Sequence, residues 1–188
     1  MKKLIFTLLI SLFALNAVAQ KDVTKFLGIP VDGTKAEMIR KLKAKGFKEI
    51  PYSDGILEGE FNGFNVNIFL QTNNNKVWRV AVADQNGMSS IDIKTRFNNL
   101  YYQFNNNTKY ITVQDFTIPE SEDIGYETLV NNKKYRAVFY QQAENITTDF
   151  AKIASMKQVW FTILKNNGEY TLVIYYENLY NKANGEDL

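Results

Sequence analysis

The strongest structural signal in the chain is residues 56–83, which read ILEGEFNGFNVNIFLQTNNNKVWRVAVA. Apolar and polar side chains alternate in its second and third segments, as expected for strands with one buried face. Asn62 and Gly63 separate the first two segments, and this dipeptide is typical of two-residue hairpins because both positions require positive φ. A polar turn over residues 72–75 precedes the third segment. The stretch therefore predicts a three-stranded antiparallel meander.

A first amphipathic helix is predicted over residues 34–45, before this meander. Thr34 and Glu37 match a capping box, in which each side chain accepts a hydrogen bond from the other residue's backbone amide. Gly46 follows at the position where a left-handed C-cap is expected. The apolar side chains of the helix lie on one stripe, so we expect that face to pack on the sheet.

A second amphipathic helix is predicted to begin at Ser89 and to end at residues 105–107. Its apolar side chains recur at the spacing of a single helix face. They are Ile93, Phe97, Leu100, Tyr101 and Phe104. Asp92 and Arg96 are four residues apart, and we expect them to form an ion pair on the outer side of this helix.

Further strands are predicted in the C-terminal half of the chain. Residues 126–130 and 133–140 have the pattern of a hairpin around a polar turn. Residues 159–164 are apolar on both faces, which predicts an interior strand in which Trp160 is buried. A tight turn then leads into a last strand over residues 170–176.

These elements predict an α+β fold, an antiparallel sheet of meanders with two amphipathic helices packed on one face. We expect residues 20–188 to form a single α+β domain. Each half places a helix before a meander, so two α-βββ halves, 20–87 and 88–188, are a second description, although the halves show no clear sequence repeat. The sequence leaves residues 144–156 open between a short helix and an ordered loop.

The N-terminus, residues 1–19, has the three parts of a secretory signal peptide. Two lysines are followed by an apolar segment over residues 4–15, and Ala17 and Ala19 give the small-x-small cleavage pattern. Cleavage after Ala19 leaves a mature chain that begins at Gln20, and we expect it to be periplasmic or secreted. No cysteine is present to carry a lipid anchor, and no other apolar run has membrane-spanning length.

The composition excludes several kinds of chemistry. The 188 residues include no Cys and no His, which excludes disulfides, thiolate catalysis, imidazole catalysis and metal sites built on either residue. Loss of the two signal-peptide lysines would leave 20 basic residues, from the 22 of the full chain, against 20 acidic ones. A mature chain without net charge has no overall field to attract nucleic acid. We therefore expect no cofactor, no metal and no nucleic-acid partner.

Four segments of the chain resemble a family of short secreted proteins from Bacteroides-type gut bacteria. They are FLGIPVDGT (26–34), GEFNG (59–63), RFNNL (96–100) and NGEDL (184–188). The resemblance covers most of the mature chain and implies a periplasmic or extracellular setting, but it implies no activity, ligand or catalytic residue. The order of helices and meanders is also loosely similar to the architecture of beta-lactamase inhibitor protein-like folds, a similarity that implies nothing about function.

Aromatic side chains on the polar faces of the predicted elements are the candidate binding residues. Tyr175, Tyr140, Tyr102 and Phe69 lie opposite the apolar stripes of their strands or helix. Exposed tyrosines offer a rigid apolar ring with a polar tip, which suits protein or glycan recognition. The other interpretation is a sheet packed on both faces, which would bury them.

Two groups of acidic residues are weaker candidates. Glu58 and Glu60 share one strand face, and paired carboxylates at about 5–10 Å can hydrolyse glycosides. A solvated strand face explains them better. Residues 120–123 contain three acids that could bind calcium weakly, but the segment lacks the pattern of a calcium loop and is best explained as a solvated acidic loop.

The sequence favours a non-enzymatic module that binds an unknown protein or glycan. A small-ligand carrier with an apolar pocket between sheet and helices is the first alternative. A carboxylate-dependent glycan hydrolase is the second. An uncovered aromatic surface, an apolar cavity or a cleft of convergent acids would distinguish the three.

Overall fold

The computed structural model describes residues 22–112, 114–143 and 155–183. The predicted signal peptide and residues 144–154 of the open segment lie outside this range. The described chain is an α+β protein with an eight-stranded antiparallel sheet, a two-stranded sheet and three helices. Within it, no helix combines the length and hydropathy needed to cross a membrane.

The helices and strands follow one another in a fixed order. They are β1 (Lys25–Phe26), β2 (Ile29–Pro30), α1 (Lys35–Lys43), β3 (Lys48–Glu49), β4 (Leu57–Phe61), β5 (Phe64–Asn73), β6 (Lys76–Asp84), α2 (Ser90–Asn105), β7 (Tyr110–Ile111), α3 (Ile124–Leu129), β8 (Arg136–Gln141), β9 (Lys157–Asn166) and β10 (Glu169–Asn178). β1 and β2 form the small sheet, and all other strands form the large one.

The large sheet has the strand order β3-β4-β5-β6-β10-β9-β8-β7. Each half of the chain adds its strands from one edge towards the middle, and the halves join where β6 pairs with β10, with Val82 opposite Ile174. In both halves an amphipathic helix precedes the four strands. Each half thus contributes four strands to the large sheet rather than the three of the predicted α-βββ halves, 20–87 and 88–188.

The predicted hairpin at Asn62 and the predicted caps of α1 are present. Asn62 and Gly63 have φ values of 54° and 78° in the turn between β4 and β5. The Thr34 side chain accepts a hydrogen bond from the Glu37 amide, and the Glu37 carboxylate accepts one from the Thr34 amide, so the capping box of α1 is complete. Gly46 has a φ of 99° after the helix, where a residue with a Cβ would be strained.

The helices cover one face of the large sheet, which we call the inner face. Phe97 of α2 lies 4.9 Å from Phe161 of β9, measured between ring centroids. Phe104 stacks on Phe139 of β8 at 5.0 Å. These four rings belong to one continuous core that also includes Met38 and Leu42 of α1. The core therefore lies between the helices and the inner face.

Arg96 does not form the exposed pair with Asp92 that the spacing suggested. It is buried in α2, with its Nε atom 3.2 Å from Oδ2 of Asp84 at the end of β6. Its guanidinium carbon also lies 3.7 Å from the centre of the Phe64 ring. Asp92 instead accepts a hydrogen bond from the Ser89 hydroxyl at 2.6 Å. The buried Asp84 carboxylate on β6 requires a cation as its partner. The spacing of residues along α2 could not indicate this pair, because Asp84 lies outside the helix.

Residues 126–130 were predicted as a strand, but most of them belong to the short helix α3. The Asp123 side chain caps this helix by accepting a hydrogen bond from the Tyr126 amide. Ile124 is buried in the core, whereas Tyr126 and Leu129 are exposed. The apolar run was too short to distinguish helical from strand periodicity, and the cap decides in favour of the helix.

The prediction that Trp160 is buried is also wrong. Val159 and Phe161, its neighbours in β9, are fully buried on the inner face, whereas Trp160 lies on the opposite face and is only half-buried. No described helix covers that face. The apolar residues on both sides of β9 therefore serve two different surfaces.

Candidate binding surface on the outer face of the sheet

The face of the large sheet opposite the helices, here called the outer face, carries an apolar row across five strands. Each member is the register partner of the next. From β8 to β5 they are Val138, Trp160, Tyr175, Ala81 and Phe69. The row exists because inward and outward side chains alternate along every strand. Residues far apart in sequence thus form one continuous surface.

Two aromatic rings stack at the centre of this row. The rings of Trp160 and Tyr175 are 4.1 Å apart between centroids and are inclined by 24°. The guanidinium carbon of Arg136 lies 4.0 Å from the centre of the Trp160 ring. The guanidinium carbon of Arg79 lies 4.9 Å from the centre of the Tyr175 ring. Cations therefore flank the aromatic pair.

The stack continues towards the C-terminal segment. Arg79 also lies over Trp78, with its guanidinium carbon 4.1 Å from the ring centre. Lys182 follows, with its Nζ atom 5.7 Å from the same ring. We call this set the cation–aromatic ladder. Its members are Arg136, Trp160, Tyr175, Arg79, Trp78 and Lys182.

The charge of the ladder is only partly compensated. Arg79 donates from Nε to Oε1 of Glu177 at 2.8 Å and from Nη1 to Oε1 of Gln71 at 3.1 Å. Glu177 is almost fully buried, so this pair is shielded from solvent. Arg136 and Lys182 are exposed, and neither forms an ion pair with a described carboxylate. The ladder therefore presents more positive than negative charge.

The Trp160 side chain contains a buried donor with no acceptor among the described residues. Its indole Nε1 atom is shielded from solvent and forms no hydrogen bond. Such a group destabilises a fold by about 1–3 kcal/mol. Departures of this kind from good packing are expected at functional surfaces, where stability is not the only requirement.

Three of the four predicted binding residues lie on the outer face. Tyr175 is in the ladder, Phe69 ends the apolar row and Tyr140 lies in the adjacent row, opposite Gln158. Tyr102 is elsewhere. It is 52% exposed on α2, with its ring 5.6 Å from that of Tyr101. The structure therefore separates Tyr102 from the other three.

The sequence interpretation missed five of the six members of the ladder. Trp160 was assigned to the core, and the other four, Arg79, Arg136, Trp78 and Lys182, were not singled out. The available signal was their position, because Arg79 alternates with the inward valines of β6 and Arg136 precedes the inward Ala137. Cations between aromatic residues on the outward side of strands could have indicated the stack.

The acidic candidates form no calcium cluster among the described residues. Glu58 and Glu60 are both exposed on β4, opposite Asn67 and Asn65 of β5. No set of three or more side chains suited to metal binding occurs in the described ranges.

The acidic loop has structural partners. Glu122 accepts hydrogen bonds from Lys133 and from the Tyr135 hydroxyl, while Asp123 caps α3. Burial raises the pKa of Glu122, but those two hydrogen bonds outweigh it and hold the pKa below its ordinary value. Burial first, and then the Glu122 carboxylate, raise the pKa of Tyr135. These residues are therefore fixed in the fold rather than poised for calcium.

Comparison of the chain with protein-family models, with curated proteins and with solved structures gave no match. The feature that bears on function is therefore the geometry of the outer face. That face combines exposed apolar side chains, a rigid ladder and a surplus of cations.

Proposed function

We propose that the protein is a non-enzymatic module that acts in the periplasm or outside the cell and binds an acidic surface of a partner protein through its outer face. The cation–aromatic ladder carries this proposal. Aromatic and arginine side chains supply most of the energy in typical protein interfaces. Here they are held in place before binding, so little conformational entropy is lost on association.

The geometry of the rings favours a protein over a glycan. Sugars bind aromatic side chains by stacking on an open ring face. Both faces of Trp160 are occupied, one by Tyr175 and the other by Arg136. Trp78 is likewise covered by Arg79. The ladder therefore offers ring edges and guanidinium groups, which suit side chains and carboxylates better than sugar rings.

Exposed apolar side chains extend the surface on both sides of the ladder. Phe69 is 37% exposed at one end of the apolar row, and Leu164 is 47% exposed on β9. A protein interface typically has such an apolar centre with charged groups around it. The uncovered cations Arg136 and Lys182 supply the charge that an acidic partner would complement.

A glycan hydrolase has less support. Glu58 and Glu60 are both exposed on β4, and of the two only Glu60 lines a described cleft. Glycosidase carboxylates flank a sugar ring inside a cleft. The small-ligand alternative depends on a different region of the molecule, a cleft on the helix side of the sheet.

Site-specific photocrosslinking in the cells that produce the protein tests the proposal. Benzoylphenylalanine replaces Phe69 on the outer face in one variant and Tyr102 on α2 in the other. We expect a discrete protein adduct from position 69 only. Arg136→Glu should abolish it, whereas Arg40→Glu, the same charge change on α1, should not. An adduct from position 102 alone, or one insensitive to Arg136→Glu, would refute the proposal.

A further inference from the structure

A two-lobed cleft opens on the helix side of the molecule, away from the outer face. Its first lobe has a volume of about 500 Å³ and its second lobe about 750 Å³. Leu27, Phe61, Asn107, Tyr110 and Tyr176 line both lobes, so the two are continuous. Each lobe by itself falls within the volume range of small-molecule sites, roughly 300–1,000 Å³.

The two lobes differ in chemistry. The first is walled mainly by apolar side chains. They are Leu27, Phe47, Phe61, Leu100 and Phe104, and two charged residues, Lys45 and Glu60, also line this lobe. The second contains Lys109, Gln141 and Gln142. A molecule that fills both lobes would therefore need a hydrocarbon part and a polar part.

Tyr110 lies at the junction of the lobes, and its hydroxyl group is oriented by Gln141. The backbone amide of Lys25 donates to Oε1 of Gln141 at 2.7 Å, which fixes the direction of the side-chain amide. Nε2 of Gln141 then donates to the Lys25 carbonyl at 2.7 Å and to the Tyr110 hydroxyl oxygen at 3.3 Å. The Tyr110 oxygen is thus an acceptor in this network.

The Tyr110 proton is left for another acceptor. Burial raises the pKa of Tyr110, while hydrogen bonds from Gln141 and Tyr176 act in the opposite direction, with burial dominant. The phenol therefore keeps its proton at neutral pH. Its oxygen accepts from Gln141, so its O–H group is left to donate elsewhere, either to the neighbouring Tyr176 hydroxyl or to a ligand in the cleft.

Three lysines, Lys25, Lys109 and Lys157, line the second lobe, and the proposal concerns Lys109. Its side chain is exposed and has no described carboxylate partner. Lys157, in the same lobe, is buried and neutralised by Asp22, with 2.6 Å between Nζ and Oδ1. An anionic group beside Tyr110 would therefore meet the Lys109 ammonium group and a hydroxyl donor.

We propose that this cleft binds a small amphipathic carboxylate, with the hydrocarbon in the first lobe and the carboxylate between the Tyr110 hydroxyl and Lys109. The two groups recognise the head together, since a hydroxyl donor and an ammonium donor form charge-assisted hydrogen bonds with a carboxylate. The apolar lobe supplies the remaining affinity by burying the chain. This site is independent of the partner surface on the outer face.

Calorimetric titration of the full chain with decanoate tests the proposal, with decyltrimethylammonium as the probe of opposite charge. We expect decanoate to bind and the cation not to bind. Lys109→Glu should weaken decanoate binding roughly tenfold or more, as expected for loss of a charge-assisted hydrogen bond. Lys76→Glu, at an exposed lysine that lines neither lobe, should leave the affinity unchanged.

Two further measurements locate the ligand. Tyr110→Phe removes only the hydroxyl group and should weaken decanoate binding several-fold. Decanoate should shift the amide resonances of Leu27 and Asn107 but not those of Thr162 and Thr171 on the outer face. Equal binding of both probes, an unchanged affinity in Lys109→Glu, or shifts confined to the outer face would overturn the proposal.

Discussion

The two faces of the large sheet use aromatic side chains in opposite ways. On the inner face, Phe161 packs against other phenylalanines in a dry core under the helices. On the outer face, its neighbour Trp160 is held between Tyr175 and a guanidinium group. Two neighbouring residues of the same strand thus belong to different environments, a dry core and a cation–aromatic stack. Whether an apolar residue of a strand joins the core depends on whether helices cover its face of the sheet, rather than on the composition of the strand.

The contrast predicts a large loss of stability on the inner face. Phe161→Ala should lower the free energy of unfolding by about 4 kcal/mol, because it removes a fully buried ring and leaves a cavity beneath α2. Urea unfolding followed by circular dichroism measures this loss. A change below about 1 kcal/mol would show that the inner face is not the main core.

The buried ion pair of the inner face should give the next largest effect. Arg96→Met leaves the Asp84 carboxylate buried without its cation and should destabilise the protein by about 3 kcal/mol. The double variant Asp84→Leu with Arg96→Met removes both charges and should recover much of the loss. If the double variant is as unstable as the single one, the pair is not the source of the effect.

The outer face should be less sensitive. Trp160→Ala should lower the free energy of unfolding by about 2 kcal/mol, since it removes the stack with Tyr175 and the cation–π contact with Arg136 from a half-buried position. Trp160→Phe keeps a ring in the stack and removes the unpaired indole donor, so it should be far milder in the same urea assay. A loss from Trp160→Ala equal to that from Phe161→Ala would mean that both faces are cores.

Binding rather than folding should reveal the role of Tyr175. Tyr175→Ala should weaken binding of a captured partner by about 2 kcal/mol or more, as for other interface anchors, while the fold is mostly retained. Calorimetry with the purified partner and urea unfolding of the same variant separate the two quantities. Loss of stability without a separate loss of affinity would assign Tyr175 to a structural layer.

The smallest expected effect is that of pH near neutrality. Glu122 has a lowered pKa, so its contribution to stability is present above its unfolded pKa and is lost only as the pH falls through the folded value, in acid. Tyr135 has a raised pKa, so its contribution is present below the unfolded value and is lost as the pH rises above about 10. Urea midpoints should therefore be nearly constant between about pH 6 and 8. A steep change in that interval would reveal a titrating group elsewhere.

Local patterns predicted the inner face better than the outer one. The capping box at Thr34, the hairpin at Asn62 and the stripe of α2 depend on residues close in sequence, and each was confirmed. Helix α3 was missed because its short apolar run fits a strand as well as a helix, and the capping Asp123 that favours the helix was not recognised.

The ladder could not be predicted because its neighbours are far apart along the chain. Arg79 and Glu177 meet across 98 positions, through the pairing of β6 with β10. No periodicity within either strand specifies that register. Tyr175, Tyr140 and Phe69 were identified as outward residues one strand at a time, and only the assembled sheet shows that they share a surface.

The pairing of β6 with β10 has a consequence for how the chain folds. β6 ends at residue 84, whereas its partner is the last strand and extends to residue 178. Until that strand has been made, the first four-stranded unit has an open edge at β6, and open edges are prone to pair with other chains. We therefore expect the sheet to close only after β10 has been synthesised. A nascent chain that ends before β10 should be a poor folder and a substrate for chaperones.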